Sequence, residues 1–146
     1  MERALLNARR AGEMGEVPVG AVVVKNGEVI AEAHNLVYDG QIPDPTGHAE
    51  VRALRSAARA IGSPRLDGCD LYVTLEPCAM CAAAIAIARI RRLYFGAADP
   101  KGGAVENGPR FFTQPTCHHR PEVFGGIGER AASELLRDFF ARMRSS

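Results

Sequence analysis

The segment His48-Ala49-Glu50, followed downstream by Pro77-Cys78-Ala79-Met80-Cys81, constrains this chain more than any other feature. Any fold that uses these residues together must bring one imidazole and two thiols to a point, with a carboxylate beside them. Zinc accepts thiolate sulfur and neutral imidazole nitrogen in tetrahedral geometry, and three protein ligands leave a fourth position for water. That is the arrangement of a catalytic site and not of a closed structural one. Cys78 and Cys81 lie three apart, so at the start of a helix they share one face. Pro77 suits the first turn of that helix, where its missing N–H is not needed. The unpaired N–H groups at a helix start favour the metal-binding thiolates. His48 and Glu50 are expected to open a second helix, with Thr46 as its cap. Facing helix starts would let His48 complete the ligand set and put Glu50 beside the open position.

A mechanism follows from those residue types. Zinc lowers the pKa of a bound water toward ~7. Glu50, beside that water, can take its proton and return it to a leaving group of the substrate. Two competing readings use the same residues. One is a closed zinc site with a fourth ligand from Cys69, Cys117, His118 or His119; it has no use for an acid beside the histidine. The other is a dithiol redox pair at C-x-x-C, which leaves His48 and Glu50 unexplained.

Length and composition narrow the class. A chain of 146 residues is expected to form one domain over 1–146. Four cysteines and no apolar signal core near Met1 favour a reducing cytoplasmic setting, with metal or thiol chemistry in place of cross-links. No apolar run is long enough to span a membrane. Cys69 reads as a small buried residue. The net charge is only +1, which does not by itself announce a nucleic-acid partner. Basic residues nevertheless cluster: Arg89, Arg91 and Arg92; Lys101, Arg110, His118, His119 and Arg120; Arg137, Arg142 and Arg144. Only convergence beside the zinc site would turn such clusters into an electrostatic groove.

Periodicity places the motifs. Residues 2–11 read as a helix. Residues 19–25 and 28–31 read as strands about Asn26-Gly27, the strongest short hairpin signal. Residues 35–47 carry Pro43 and Pro45 and read as a loop. Helical spacing of Val51, Leu54, Ala58 and Ile61 marks a helix from His48 that Gly62-Ser63-Pro64 ends. A strand over 70–75, an Ala-rich helix over 78–89 and a strand over 91–96 follow. Residues 99–126 read as irregular with a short strand within, and 128–144 as the last helix. Strands alternating with helices predict an α/β fold, a central mixed sheet with helices on both faces. The helix over 78–89 is apolar nearly all round and needs cover all round. A second subunit on a two-fold axis is the expected cover, with a neighbouring helix of the same chain as the alternative.

The chain resembles the bacterial tRNA-specific adenosine deaminases, zinc enzymes of the cytidine-deaminase-like superfamily whose H-x-E…P-C-x-x-C signature it carries. The resemblance runs nearly end to end: Glu16-Val17-Pro18-Val19-Gly20-Ala21, Asp44-Pro45-Thr46-Gly47-His48-Ala49-Glu50, Leu71-Tyr72-Val73-Thr74-Leu75-Glu76-Pro77-Cys78, Phe95-Gly96-Ala97 with Asp99, and Asp138-Phe139-Phe140. The zinc signature is shared with cytosine, guanine and nucleotide deaminases; the final helix is what points to the tRNA branch. The resemblance implies a three-layer sandwich and a homodimer. The implied activity is conversion of a wobble adenosine in a tRNA anticodon to inosine. It implies one Zn2+ held by His48, Cys78 and Cys81, and Glu50 as proton shuttle. Asn35 and the Ala49 N–H are implied to meet the flipped base, and Asp99 the target ribose, where a carboxylate can accept from a 2′-OH. Phe139 and Phe140 are candidates to stack on loop bases, with at least one expected in the core. Three departures stand out: Gly47 where alanine is usual, Ala98 where a basic residue is common, and an Asn35–His48 loop longer by about two residues. The alternative function is deamination of a free nucleobase or nucleotide. A third class, a non-enzymatic zinc-stabilised interaction module, would be marked by a closed coordination shell.

Overall fold

Asn26 and Gly27 both take positive φ, 51° and 79°, as a two-residue hairpin turn demands. They join β1 (Gly20–Lys25) to β2 (Glu28–His34) in this computed structural model, which describes residues 1–145. β2 runs three residues beyond its expected end. Its pairing with β1 continues from Lys25↔Glu28 to Gly20↔His34, with a register shift at Val23/Val24 that absorbs one extra residue. Antiparallel pairing needs no alternation to persist, so the ladder outlasts the apolar signal.

Before the hairpin lies α1 (Glu2–Glu13); after it come α2 (Ala49–Ile61), β3 (Cys69–Leu75), α3 (Ala79–Ile87), β4 (Arg92–Ala97), β5 (Glu122–Phe124) and α4 (Glu129–Ser145). The strand order is β2-β1-β3-β4-β5. β1 is antiparallel to both neighbours, whereas β3, β4 and β5 run parallel. α2 and α3 cover one face of the sheet, and α1 and α4 cover the other. The expected mixed sheet between two helical layers is therefore present.

The core follows the two periodicities. Ala21, Val23, Leu71, Val73, Leu93 and Phe95 alternate inward along β1, β3 and β4 and meet Ala53, Leu54, Ala57, Ala82 and Ile85 from α2 and α3. Cys69 is fully buried at the start of β3, as a small apolar residue would be. α3 is shorter than its apolar run. Arg89 takes a left-handed φ of 66°, the Ile90 amide turns back to the Ile85 carbonyl, and the chain swings into β4. On α4, Phe139 is 6% exposed and packs inward while Phe140 is 45% exposed, so one of the pair is core and the other is not. No helix among the described residues is long and apolar enough to cross a membrane.

Candidate active site

β3 and the hairpin deliver the two motifs to one end of the sheet. Leaving β3 at Leu75, the chain passes Glu76-Pro77 and caps α3 with Cys78, in extended backbone. Pro77 thus stands one position before the cap and not in the first turn; its fixed φ shapes the entry, and the missing N–H still costs nothing there. Cys81 lies in the first turn of α3 and is buried. His48 caps α2 without using its ring, which leaves the imidazole free to face the thiols.

Thr46 does not cap α2. Its hydroxyl and amide both donate to Asp44 Oδ1, each at 2.9 Å, because Asp44 two residues back forms the tighter local turn. The first amide of α2 is satisfied from farther away: Ala49 N–H donates to Asn35 Oδ1 at 2.8 Å. The two residues expected to meet a base therefore meet each other. That bond fixes the side-chain amide of Asn35 with its NH2 group on the other side, where two further donors remain available.

His48 Nδ1 lies 3.6 Å from Cys78 Sγ and 3.5 Å from Cys81 Sγ. All three ligand atoms fall within 4.8 Å of one another. Zinc–sulfur bonds of ~2.3 Å and a zinc–nitrogen bond of ~2.0 Å at the tetrahedral angle subtend about 3.5 Å. The residues fit the metal. Of the four candidates for a closing fourth ligand, none joins the cluster among the described residues. Cys117 Sγ donates to the His119 carbonyl, and His119 Nε2 bonds the Ile90 carbonyl.

The electrostatics favour a cation at this point. Cys78 is pulled down to about 4, first by its hydrogen bond with Cys81 and then by the one with His48. Cys81 is driven up by that same bond and by burial. His48 is raised through its bond to Cys78. The hydrogen bond between the two thiols favours one thiolate and opposes the second, and a cation between them would favour both. Glu50, in the first turn of α2 and 4% exposed, is lifted by burial to about 7. A carboxyl near neutrality is suited to both taking and giving a proton.

A cavity of about 420 Å³ opens onto this cluster, lined among others by Asn35, Tyr38, His48, Glu50, Cys78 and Asp99. Its size is that of a small-molecule or nucleoside site. Beside it runs a groove of about 920 Å³ between the loop after β4 and α4, sharing Val17, Leu75 and Asp99 with the cavity. Lys101, Arg137, Arg144 and Phe140 line the groove, as does Ala98 at the position where a basic residue is common. Lys101 from the second basic cluster and Arg137 and Arg144 from the third thus converge beside the site. Arg91 is committed to Asp70 through bonds of 3.0 and 2.8 Å, Arg92 to Glu122, and Arg120 to the Phe112 carbonyl.

Gly47 has a local reason. A Cβ there would stand 2.2 Å from the Leu36 carbonyl oxygen, and the Leu36 amide donates to the Gly47 carbonyl at 2.9 Å. The long loop folds back on itself through this close approach, which only glycine permits.

A sequence model of the MafB19-like deaminases matches residues 1–144. A tRNA-specific adenosine deaminase of Agrobacterium fabrum is 59% identical over 99% of this chain and 93% of its own length. The chain belongs to the tRNA-specific adenosine deaminase family. A solved structure from a study of A-to-I editing by tRNA:A34 deaminases at the wobble position superimposes on this family member with a TM-score of 0.90. It is 60% identical and spans 93% of this chain and 97% of its own. The guanine deaminase of Nitrosomonas europaea, at 24% identity and a TM-score of 0.81 over 96% of this chain and 82% of its own, shares the fold. The three-layer, cytidine-deaminase-like architecture is thus common to branches that act on different bases.

Two residues of consequence were not picked out from sequence as site residues: Glu16 and Glu76. Burial works to raise the Glu16 carboxyl, yet amide hydrogen bonds from Val37, Asp39 and Tyr38 hold it below the ordinary glutamate value. Burial and amide bonds oppose each other in the same way at Glu76, and the bonds again prevail. Each is a lone acid in an apolar stretch, Glu16-Val17-Pro18-Val19 and Leu75-Glu76-Pro77. That was the available signal, since an acid placed among core residues needs donors.

Proposed function

We propose that this chain hydrolyses the wobble adenosine of a tRNA anticodon to inosine and ammonia, with residues 1–146 acting as one domain in the cytoplasm. The observation that carries the reading is the meeting of His48 Nδ1 and both thiols within 4.8 Å on a cavity that Glu50 also lines. The 59% identical relative that bears this activity in its name supports the choice of adenosine on tRNA.

His48, Cys78 and Cys81 would hold one Zn2+. When bound, the metal supplies Lewis acidity that brings a coordinated water toward a pKa of ~7. Glu50 takes one proton from the attacking water and hands it to N1 of the adenine ring. The oxygen joins C6, a second proton passes through Glu50 to the exocyclic nitrogen, and the C6–N6 bond breaks to release ammonia. The Asn35 side chain, braced by the Ala49 amide, orients the base, and Asp99 accepts from the ribose 2′-OH. Lys101, Arg137 and Arg144 attract the phosphates of the anticodon stem-loop, while Phe140 offers a ring to an unstacked base.

The deciding assay incubates the zinc-loaded protein with an anticodon stem-loop carrying wobble adenosine, and separately with free adenine, guanine and cytosine. Inosine in the stem-loop with no ammonia from free bases is expected. Ammonia from a free base with an unmodified stem-loop would transfer the activity to the nucleobase branch.

We also propose a homodimer. Ile87 on α3 is 77% exposed, and Ala79 beside the ligand Cys78 is exposed as well. The short 3-10 turn at Phe111–Thr113 and α2 pack against other parts of α3, while Met80, Ala83 and Ala84 remain half-buried. Light scattering at micromolar concentration is expected to return twice the 15.7 kDa chain mass. A monomer mass there would end the dimer proposal.

A further inference from the structure

Both walls of the cavity are irregular main chain, and each is tied to a buried carboxylate outside the ligand set. Glu16, between α1 and β1, is 2% exposed. Its Oε1 accepts the Val37 amide at 2.9 Å, and its Oε2 accepts those of Tyr38 and Asp39 at 2.8 and 2.7 Å. Glu76, just after β3, is equally buried at 2%. Its Oε1 accepts the Asp99 amide at 2.9 Å and Asn107 Nδ2 at 2.7 Å. Its Oε2 accepts the amides of Val105, Glu106 and Asn107 at 3.0, 2.8 and 3.0 Å. Among the described residues neither carboxylate has a cation within ion-pair distance. The main chain is their counter-charge.

Each gripped segment reaches the cavity through some of its residues, and Glu76 itself lines the cavity as well. Val37 and Tyr38 line one side; Asp99 lines the other, together with Gly102, whose amide donates to the Asp99 carboxylate. Neither segment belongs to a helix or strand that could satisfy its amides by a ladder. Buried amides need a partner, and a carboxylate can accept several at about twice the strength of a neutral acceptor. The fit around Glu76 is tight: a Cβ on Gly103 would lie 2.5 Å from its Cδ and 2.6 Å from its Oε2. Glu76 also precedes Pro77-Cys78 in the chain, so one residue joins the start of α3 to the opposite wall.

We infer that Glu16 and Glu76 are positioning residues, each holding one wall of the substrate cavity by its main chain. Their kinetic effect rests on the stem-loop activity proposed above; their grip on the loops does not. Misplacing a binding group by about 1 Å is enough to cost up to ~100-fold in rate, so the loss of a wall anchor is felt at the substrate.

Glutamine tests this, because it keeps the shape and replaces one acceptor oxygen with a donor. In Glu16→Gln the NH2 group can turn toward Val37 and oppose a single amide. In Glu76→Gln either orientation opposes at least two donors, so the second variant is expected to be the more severe. The experiment measures amide hydrogen exchange and steady-state kinetics on the anticodon stem-loop, using full-length zinc-loaded protein. In Glu76→Gln, the amides of Asp99 and of 105–107 are expected to exchange at least about tenfold faster, the equivalent of one charge-assisted hydrogen bond. In Glu16→Gln the same is expected for 37–39. Amides of β1 and β3, and the zinc content, are expected to stay as in the parent chain. KM should rise about tenfold in Glu76→Gln and about threefold in Glu16→Gln, with kcat changed less than KM.

Unchanged exchange in these segments overturns the inference. So does faster exchange with unchanged KM, and so does faster exchange spread equally into β1 and β3, which is plain loss of stability. Should the parent chain leave the stem-loop unmodified, the proposed function fails, while the exchange rates still decide whether the two carboxylates hold the walls.

Discussion

Glu50→Gln is expected to lower kcat on the anticodon stem-loop by about 10³-fold, within the 10²–10⁴ range of general acid–base catalysis, with zinc still bound. Glutamine matches the buried side chain in size but can neither take nor give the proton. The metal would stay because Glu50 is not among the three ligand atoms that converge. Burial makes the argument stronger: with Glu50 4% exposed, bulk solvent has poor access to replace it as a proton carrier. Two readings check the expectation together, zinc per chain by atomic emission after dialysis and ammonia release under saturating substrate. A variant that keeps its zinc and works within tenfold of the parent rate would remove Glu50 from the chemistry.

Cys78→Ser is expected to lose both metal and activity. A serine hydroxyl does not ionise in the range where a thiol does, and Cys78 is the thiol the site drives down to about 4. Two ligands, His48 and Cys81, would remain, and a zinc site loses most of its affinity when a charged ligand is removed. Zinc content is expected to fall from about one per chain to below roughly a tenth after dialysis against a chelator. Turnover should be undetectable. The parent chain provides the control: chelation should lower its unfolding midpoint, since a ligand that binds only the folded state stabilises it, and added zinc should restore it. Added zinc should leave Cys78→Ser unchanged. Full activity in this variant would take the metal out of the mechanism.

Much of the site was legible in the chain because its chemistry depends on residue type at fixed local spacing. Cys78 and Cys81 share a helix start whatever the rest of the fold does, and His48 with Glu50 opens the helix before it. The 3.6-residue period of α2 likewise announced which of its faces is buried. The errors were of another kind. Thr46 is a good cap by type, yet Asp44 competes for it two residues away and Asn35 arrives from across the loop to take the Ala49 amide. Local propensity ranks candidates near in sequence; it cannot see a partner that folding brings from elsewhere. The same holds for charge. Three basic clusters read alike in sequence, and the fold ties Arg91 and Arg92 into ion pairs and Arg120 to a carbonyl while bringing Lys101 from one cluster and Arg137 and Arg144 from another to the groove.

The amino-acid order by itself determined the candidate ligand set, the candidate proton carrier, the α/β pattern and the turn at Asn26-Gly27, since each is a matter of residue chemistry or short-range geometry. Only the tertiary structure decided that Glu16 and Glu76 grip the two walls and that Asn35 braces the start of α2. It alone showed that Gly47 must lie against the Leu36 carbonyl. Those arrangements join residues far apart along the chain. A buried acceptor is satisfied by whichever donors the closed sheet and its loops bring within about 3 Å, and no local pattern encodes that distance.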